Sequence, residues 1–113
     1  MVENYSFGQI LVNRKEYNSD LIIFKDYIHD NWWRKESHNL CIDDIKEIIN
    51  KKPDILIIGT GFFGLMKVPE ELIENIKSLG IGQVIIKKTG DACIEYNKLY
   101  KKNNIIAAFH LTC

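Results

Sequence analysis

The chain has 113 residues, 46% of them hydrophobic, and its 15 basic and 15 acidic side chains give a formal net charge of zero. That length suits one domain with its own core, roughly 65% of the unfolded surface becoming buried. The charge balance excludes a broad electrostatic footprint on nucleic acid or on a membrane surface, and no apolar run approaches the ~20 residues of a membrane span. The opening Met1, Val2, Glu3, Asn4 has neither the basic nor the apolar region of a secretion signal. Cys41, Cys93 and Cys113 are odd in number and widely spaced. No disulfide framework is therefore expected, and a cytoplasmic location is.

Up to about residue 40 the signals are those of antiparallel strands. Tyr5 and Phe7 alternate with Ser6, and the phase slips after Gly8, where Ile10 and Val12 flank Leu11. An isolated glycine at such a slip predicts a bulge. Residues 13–16 and 18–20 read as polar turns, with Tyr17 between them and the apolar run 21–24 after them. Residues 27–33, with Tyr27, Ile28, Trp32 and Trp33, read as a further short strand or hairpin arm.

From about residue 42 strands and helices alternate. Ile42, Ile45, Ile48 and Ile49 form a helical stripe over 42–51, with Asp43 and Asp44 at its start, Lys51 and Lys52 at its end and Pro53 as its stop. Residues 54–59 read as a strand, apolar without a break over 55–58, as one buried on both faces should be. Pro69 suits a first helical position, Leu72, Ile73, Ile76 and Leu79 form a stripe, and Gly80 closes a helix over 69–79. Residues 83–87 read as a second buried strand. Thr89 is the expected N-cap of a helix over 89–102, striped by Ala92, Tyr96, Leu99 and Tyr100, and 105–110 is the last strand. Short connections between these elements predict parallel strands with right-handed crossovers. The fold class is α/β, one domain over 1–113: antiparallel strands in about 1–40 and a parallel βαβαβ unit in about 42–113.

The glycine turn Gly59-Thr60-Gly61-Phe62-Phe63-Gly64 satisfies G-x-G-x-x-G after a strand. A dinucleotide site needs such a turn to open a helix directly and an acid after the next strand. Here residues 65–68 intervene before Pro69, and the next strand ends in Lys87 and Lys88. No cofactor is expected. The turn reads equally as a tight structural bend or as an anion cradle of backbone amides. Parallel strands deliver their carboxyl ends to one edge, so Gly59, Thr60, Gly61 and Gly64 should meet Thr89 and Gly90 and then His110, Thr112 and Cys113. These nine residues are the candidate ligand pocket. Phosphate, sulfate or a carboxylate, the Cys113 carboxylate included, is the expected occupant.

Metal ligation is not expected, because the three histidines and three cysteines lack any C-x-x-C or H-x₃₋₅-H spacing. Cys93 falls beside an apolar stripe and reads as buried and inert. Trp32 and Trp33 beside Arg34 and Lys35 place two large rings next to two cations, which suits contact with a protein partner. Any self-association is expected to use Tyr27, Trp32 and Trp33 of the N-terminal portion.

Several segments together carry a family resemblance: Tyr5-Ser6-Phe7-Gly8, the run from Trp32 to His38, Ile57-Ile58-Gly59-Thr60-Gly61, Thr89-Gly90-Asp91-Ala92 with Tyr96-Asn97, and the closing Ala107-Ala108-Phe109-His110-Leu111-Thr112-Cys113. In this order the chain resembles a small α/β domain shared by uncharacterised bacterial and archaeal proteins. The same domain occurs in the adipogenesis-associated domain-containing protein and in mitochondrial complex I assembly factor three. The resemblance implies three layers and a mixed central sheet that contains the last strand. It implies no particular reaction. Two classes of function follow: a non-catalytic binding or assembly module with a protein partner, or a domain, enzymatic in one version, that takes a small anionic ligand at the sheet edge.

Overall fold

The computed structural model describes residues 1–113. Strands β1 (Val2–Ser6), β2 (Gln9–Val12) and β3 (Lys15–Tyr17) form a separate three-stranded antiparallel sheet. Asn13 and Arg14 both take positive φ between β2 and β3, the backbone a two-residue hairpin turn demands. Gly8, at φ +77°, lies in the β1–β2 turn, where Ser6 pairs with Gln9. The bulge expected there falls instead between Val2 and Asn4. The phase slip at Gly8 is the chain reversing.

The central sheet contains β4 (Leu21–Ile23), β5 (Ile28–Asp30), β6 (Ile55–Thr60), β7 (Gln83–Lys87) and β8 (Ile105–His110), in the order β5-β4-β8-β6-β7. β6 runs parallel to both β7 and β8, and β4 pairs antiparallel with both β8 and β5. The sheet is therefore mixed, with the last strand inside it. The hairpin arm expected over 27–33 shrinks to β5, and Trp32 lies in the irregular segment beyond it. β7 is an edge strand, and Val84, Ile85 and Ile86 are only half-buried where a fully buried strand was expected.

Alternation decides what each face of the sheet covers. Leu21, Ile23, Ile55, Ile57, Ile105, Ala107 and Phe109 pack on one face against the small sheet and helix α3 (Thr89–Leu99), through Ile10, Val12, Ala92 and Tyr96. Ile22, Leu56, Ile58, Ile106 and Ala108 pack on the other against helices α1 (Lys46–Lys51) and α2 (Glu70–Ser78), through Ile48, Leu72 and Ile76. The two buried clusters are equal at 14 residues each, so both faces are covered and the architecture has three layers. That is why residues 55–58 carry no polar side chain. A 3₁₀ turn, Ile42–Ile45, precedes α1, and the Asp44 carboxylate accepts the amides of Cys41 (2.9 Å) and Lys35 (3.1 Å) there.

Because β7 and β8 flank β6, α2 and α3 cross on opposite faces. The connections leaving β6 and β7 therefore diverge at the carboxyl edge, the arrangement that opens a crevice in many α/β sheets. What fills that edge here is decided by local hydrogen bonding.

Candidate functional site

The carboxyl edge is built from the β6–α2 loop, the start of α3 and the chain beyond β8. Gly59 has no room for a side chain: a Cβ would lie 2.8 Å from Phe109 Cδ1 and from Thr89 Oγ1. Gly61, at φ +110°, is closer still, since a Cβ would meet the Cys113 carbonyl oxygen at 2.6 Å and His110 Cδ2 at 2.8 Å. Gly59 thus makes room for the Phe109 and Thr89 side chains, and Gly61 for the Cys113 backbone.

All amides of residues 61–66 but that of Phe63 are already engaged. Gly61 N donates to Thr89 Oγ1 (2.9 Å), Phe62 N to the Thr112 carbonyl (2.7 Å), Leu65 N to the Cys113 carbonyl (3.1 Å) and Met66 N to the Thr60 carbonyl (3.1 Å). Thr89 N donates to the Gly61 carbonyl (3.1 Å), and Thr89 Oγ1 to the His110 carbonyl (2.6 Å). Thr89 is therefore the first residue of α3, and its buried hydroxyl bridges β6 and β8; the N-cap position belongs to Lys88, with no side-chain cap. The cross-strand bonds available to that hydroxyl outweigh a single cap bond.

Of the nine residues expected at a common pocket, Gly59, Thr60, Gly61, Thr89, His110 and Cys113 meet in this network. Gly64 lies at its rim under Lys88, Thr112 packs over Gly8, and Gly90 faces a separate depression with Tyr5 and Cys93. Cys93 is buried, and desolvation pushes its thiol up to about 12, consistent with an inert packing role.

Under the edge lies a polar cluster that links three distant parts of the chain. His110 is 3% exposed and its Nδ1 is 2.7 Å from Asp20 Oδ2. The same Nδ1 stands 3.1 Å from Arg34 Nη2, so Asp20, His110 and Arg34 form one polar cluster. Asp20 Oδ1 accepts the Leu111 amide (2.7 Å), and Arg34 Nη1 stands 2.8 Å from Asp20 Oδ2 as an ion pair. Arg34 Nη2 donates to the Ser37 carbonyl (3.2 Å), and the guanidinium lies 4.7 Å over the Trp32 ring. Burial tends to raise the Asp20 carboxyl. The hydrogen bonds from His110 and Leu111 and the charges of His110 and Arg34 outweigh it and hold the group below its ordinary value. Arg34 Nε and His110 Nε2 are buried with no hydrogen-bond partner. The exposed His38 ring stands edge-on to His110 at 5.7 Å.

This cluster corrects the placement of two expected partner-contact residues. Trp32 is 6% and Arg34 9% exposed, and only Trp33, at 75%, faces solvent. Trp32 turns inward because its Nε1 donates to the Asp44 carbonyl (2.9 Å) and its ring carries the guanidinium. Asp20 itself gave no functional signal, since an acid closing a polar turn reads as solvated.

A wide depression of about 700 Å³ lies over Lys35, Glu36, Ser37, His38, Asn39 and Lys67, and two smaller concavities lie at the opposite, amino edge of β6 and β8. One of about 330 Å³ is lined by Lys25, Tyr96, Tyr100, Lys101, Lys102 and neighbours. Another of about 420 Å³ shares Lys25, Tyr96 and Tyr100 and extends to Lys15, Tyr17 and Tyr27. No helix is long and apolar enough to cross a membrane, and no three histidine, cysteine or acidic side chains are grouped to hold a metal ion.

The conserved hypothetical protein PH1505 from Pyrococcus horikoshii OT3 is similar over 100% of this chain and 99% of its own, with 24% identity and a TM-score of 0.83. A structure described as an outer membrane protein from Bartonella henselae is similar over 99% of this chain and 94% of its own, with 20% identity and a TM-score of 0.81. A Mth938-like domain from Bordetella pertussis is similar over 98% and 85%, with 15% identity and a TM-score of 0.74. At such identities the likeness is one of fold alone. The sequence profile described as "Protein of unknown function (DUF498/DUF598)" matches residues 2–111, and the chain belongs to that family.

Proposed function

We propose that the domain is a non-catalytic binding module that meets a protein partner through an aromatic cluster at its carboxyl edge. One observation carries this reading: Phe7, Phe62, Phe63 and Leu65 are 50%, 45%, 58% and 51% exposed and stand together. Phe7 lies 5.8 Å from Phe62 and 6.1 Å from Phe63, and those two rings are 5.1 Å apart. Single exposed apolar residues are ordinary, whereas a gathered patch marks a contact surface. The cluster is held from behind by Gly8 N on the Leu111 carbonyl (2.9 Å) and by the Phe62 and Leu65 bonds to the closing residues. Rings held in this way lose little conformational freedom on binding. The amides of Gly61, Phe62, Leu65, Met66 and Thr89 at this edge are engaged, which favours a protein contact over a ligand pocket. The three unpaired thiols support placement in a reducing cytoplasm.

A photo-crosslinking phenylalanine analogue at Phe63 in the producing cells tests this. A discrete adduct, lost when Phe7 and Phe62 are changed to serine in a chain of unchanged stability, is expected. Absence of any adduct at Phe63 beyond that at exposed Glu70 would overturn it. A second reading, a small anion at the same edge, draws its support from the Phe63 and Gly90 amides, which no acceptor of the chain engages; phosphate titration followed at those amides by NMR separates the two. Self-association, if it occurs, is assigned to exposed Trp33, and light scattering of Trp33→Ala checks it.

A further inference from the structure

We infer that the tyrosine-lined cleft at the amino edge of β8 binds a nucleoside phosphate, its base on a tyrosine face and its phosphates among the surrounding lysines. This site is distinct from the aromatic cluster at the opposite edge and does not depend on that reading.

Charge comes first. The chain as a whole is neutral, yet Lys15, Lys25, Lys51, Lys101 and Lys102 gather around this cleft with Asp26 as the single acid in its lining. None of these five lysines makes a salt bridge; the lysines that do are Lys35, Lys46, Lys87 and Lys98. Four of them, Lys15, Lys25, Lys101 and Lys102, line the two cavities that share Lys25, and their like charges repel one another. Compensation then comes from an anion of more than one charge.

The aromatic component is equally specific. Lys15 lies 5.3 Å over the Tyr17 ring, Lys51 5.6 Å over Tyr27 and Lys101 5.9 Å over Tyr100. Each ring thus already carries a cation on one face, a place that a nucleobase or phosphate would share or take over. Tyr100 is itself stacked on Tyr96 at 5.2 Å and 13°, and Phe24 on Tyr27 at 4.6 Å and 16°. Tyr27 and Tyr100 are thus each backed by a second ring. Nucleobases stack on such faces, and flexible lysines follow the phosphates.

Size and polarity agree. The two adjoining cavities, about 330 and 420 Å³, share Lys25, Tyr96 and Tyr100, within the ~300–1,000 Å³ of small-molecule sites. The carboxyl end of α3 points here, and its dipole would oppose an anion. The Leu99 carbonyl is already bonded by Lys102 N (3.2 Å) and Asn103 Nδ2 (2.9 Å), which blunts that end. A nucleotide within single-stranded RNA offers the same chemistry. A cleft of this size, on a chain without a longer basic track, favours the free nucleotide.

The test is titration of the full chain with ADP, adenosine, inorganic pyrophosphate and a short oligoadenylate, by calorimetry and by NMR of the backbone amides. The expected result is saturable ADP binding that shifts the amides of Lys25, Tyr100 and Lys102 and is tighter than adenosine or pyrophosphate. Lys25→Ala with Lys102→Ala should weaken ADP by at least about tenfold, Tyr100→Leu should erase its advantage over pyrophosphate, and Lys98→Ala should change neither. No ADP binding, or ADP no tighter than pyrophosphate, would overturn the proposal. Oligoadenylate binding that exceeds ADP and collapses with salt would reassign the surface to RNA and overturn it as stated.

Discussion

The two ends of the central sheet are made of similar loops and have opposite characters. At the carboxyl edge the glycine turn after β6, the start of α3 and the residues after β8 spend their amides and carbonyls on one another. At the amino edge the loops are held by a few bonds, such as Asp54 N and Ile55 N on the Asn104 carbonyl (2.9 and 3.2 Å), and lysines and tyrosines border open clefts. Strand direction alone favours ligands at the carboxyl ends. That preference presupposes loops with free amides, and here Thr89 and the residues after β8 take those of Gly61, Phe62 and Leu65.

The largest expected effect concerns the polar cluster under the closed edge. Arg34→Met leaves the Asp20 carboxylate with its hydrogen bonds and without its cation, at a site where the side chains are 4% and 18% exposed. Breaking such a pair costs about 3–5 kcal/mol, here toward the lower end because Asp20 retains some solvent. Chemical denaturation measures it, and a loss below about 0.5 kcal/mol would show that the edge does not depend on the pair.

A matched pair of glycines sharpens the comparison between edges. Gly61 and Gly80 share a left-handed backbone, φ +110° and +103°, but a Cβ at Gly80 meets nothing within 4 Å, whereas at Gly61 it meets the Cys113 carbonyl at 2.6 Å. Gly80→Ala should cost about 1–2 kcal/mol from backbone strain alone. Gly61→Ala should cost clearly more, because backbone must also move. Equal losses in thermal unfolding would mean that the carboxyl edge is not tightly closed.

The smallest effect is the acid response of Asp20. Its folded value lies below its unfolded one. Its stabilising contribution is therefore complete above the unfolded carboxyl range, near pH ~4, and is lost as pH falls through the folded value. Asp20→Asn should lower stability at neutral pH and flatten its fall as pH drops below the ordinary carboxyl range. Parallel acid curves for the two proteins would remove Asp20 from the account.

Much of the architecture was legible because burial on two faces and burial on one leave different patterns. Residues 55–58 and 105–109 are apolar without interruption, and the stripe Leu72, Ile76 repeats at helical spacing, so the parallel unit could be read directly. The shorter N-terminal strands were legible as strands and not as members of two different sheets. A three-residue strand such as Leu21–Ile23 carries no mark of its neighbour, and its pairing with β8 joins residues more than 80 positions apart.

The candidate site divides along the same line. Convergence of Gly59, Gly61, Thr89 and His110 at one edge follows from strand direction, which the sequence determines through its strand–helix alternation. Whether that edge is open depends on individual bonds, among them Thr89 Oγ1 between Gly61 N and the His110 carbonyl, and on Asp20 and Arg34 reaching His110 across the fold. Local sequence determines which elements form, because propensity and burial period act over a few residues. Only the tertiary structure decides which polar groups satisfy one another and which lysines stand unpaired, because those energies depend on distances between residues that the sequence keeps far apart.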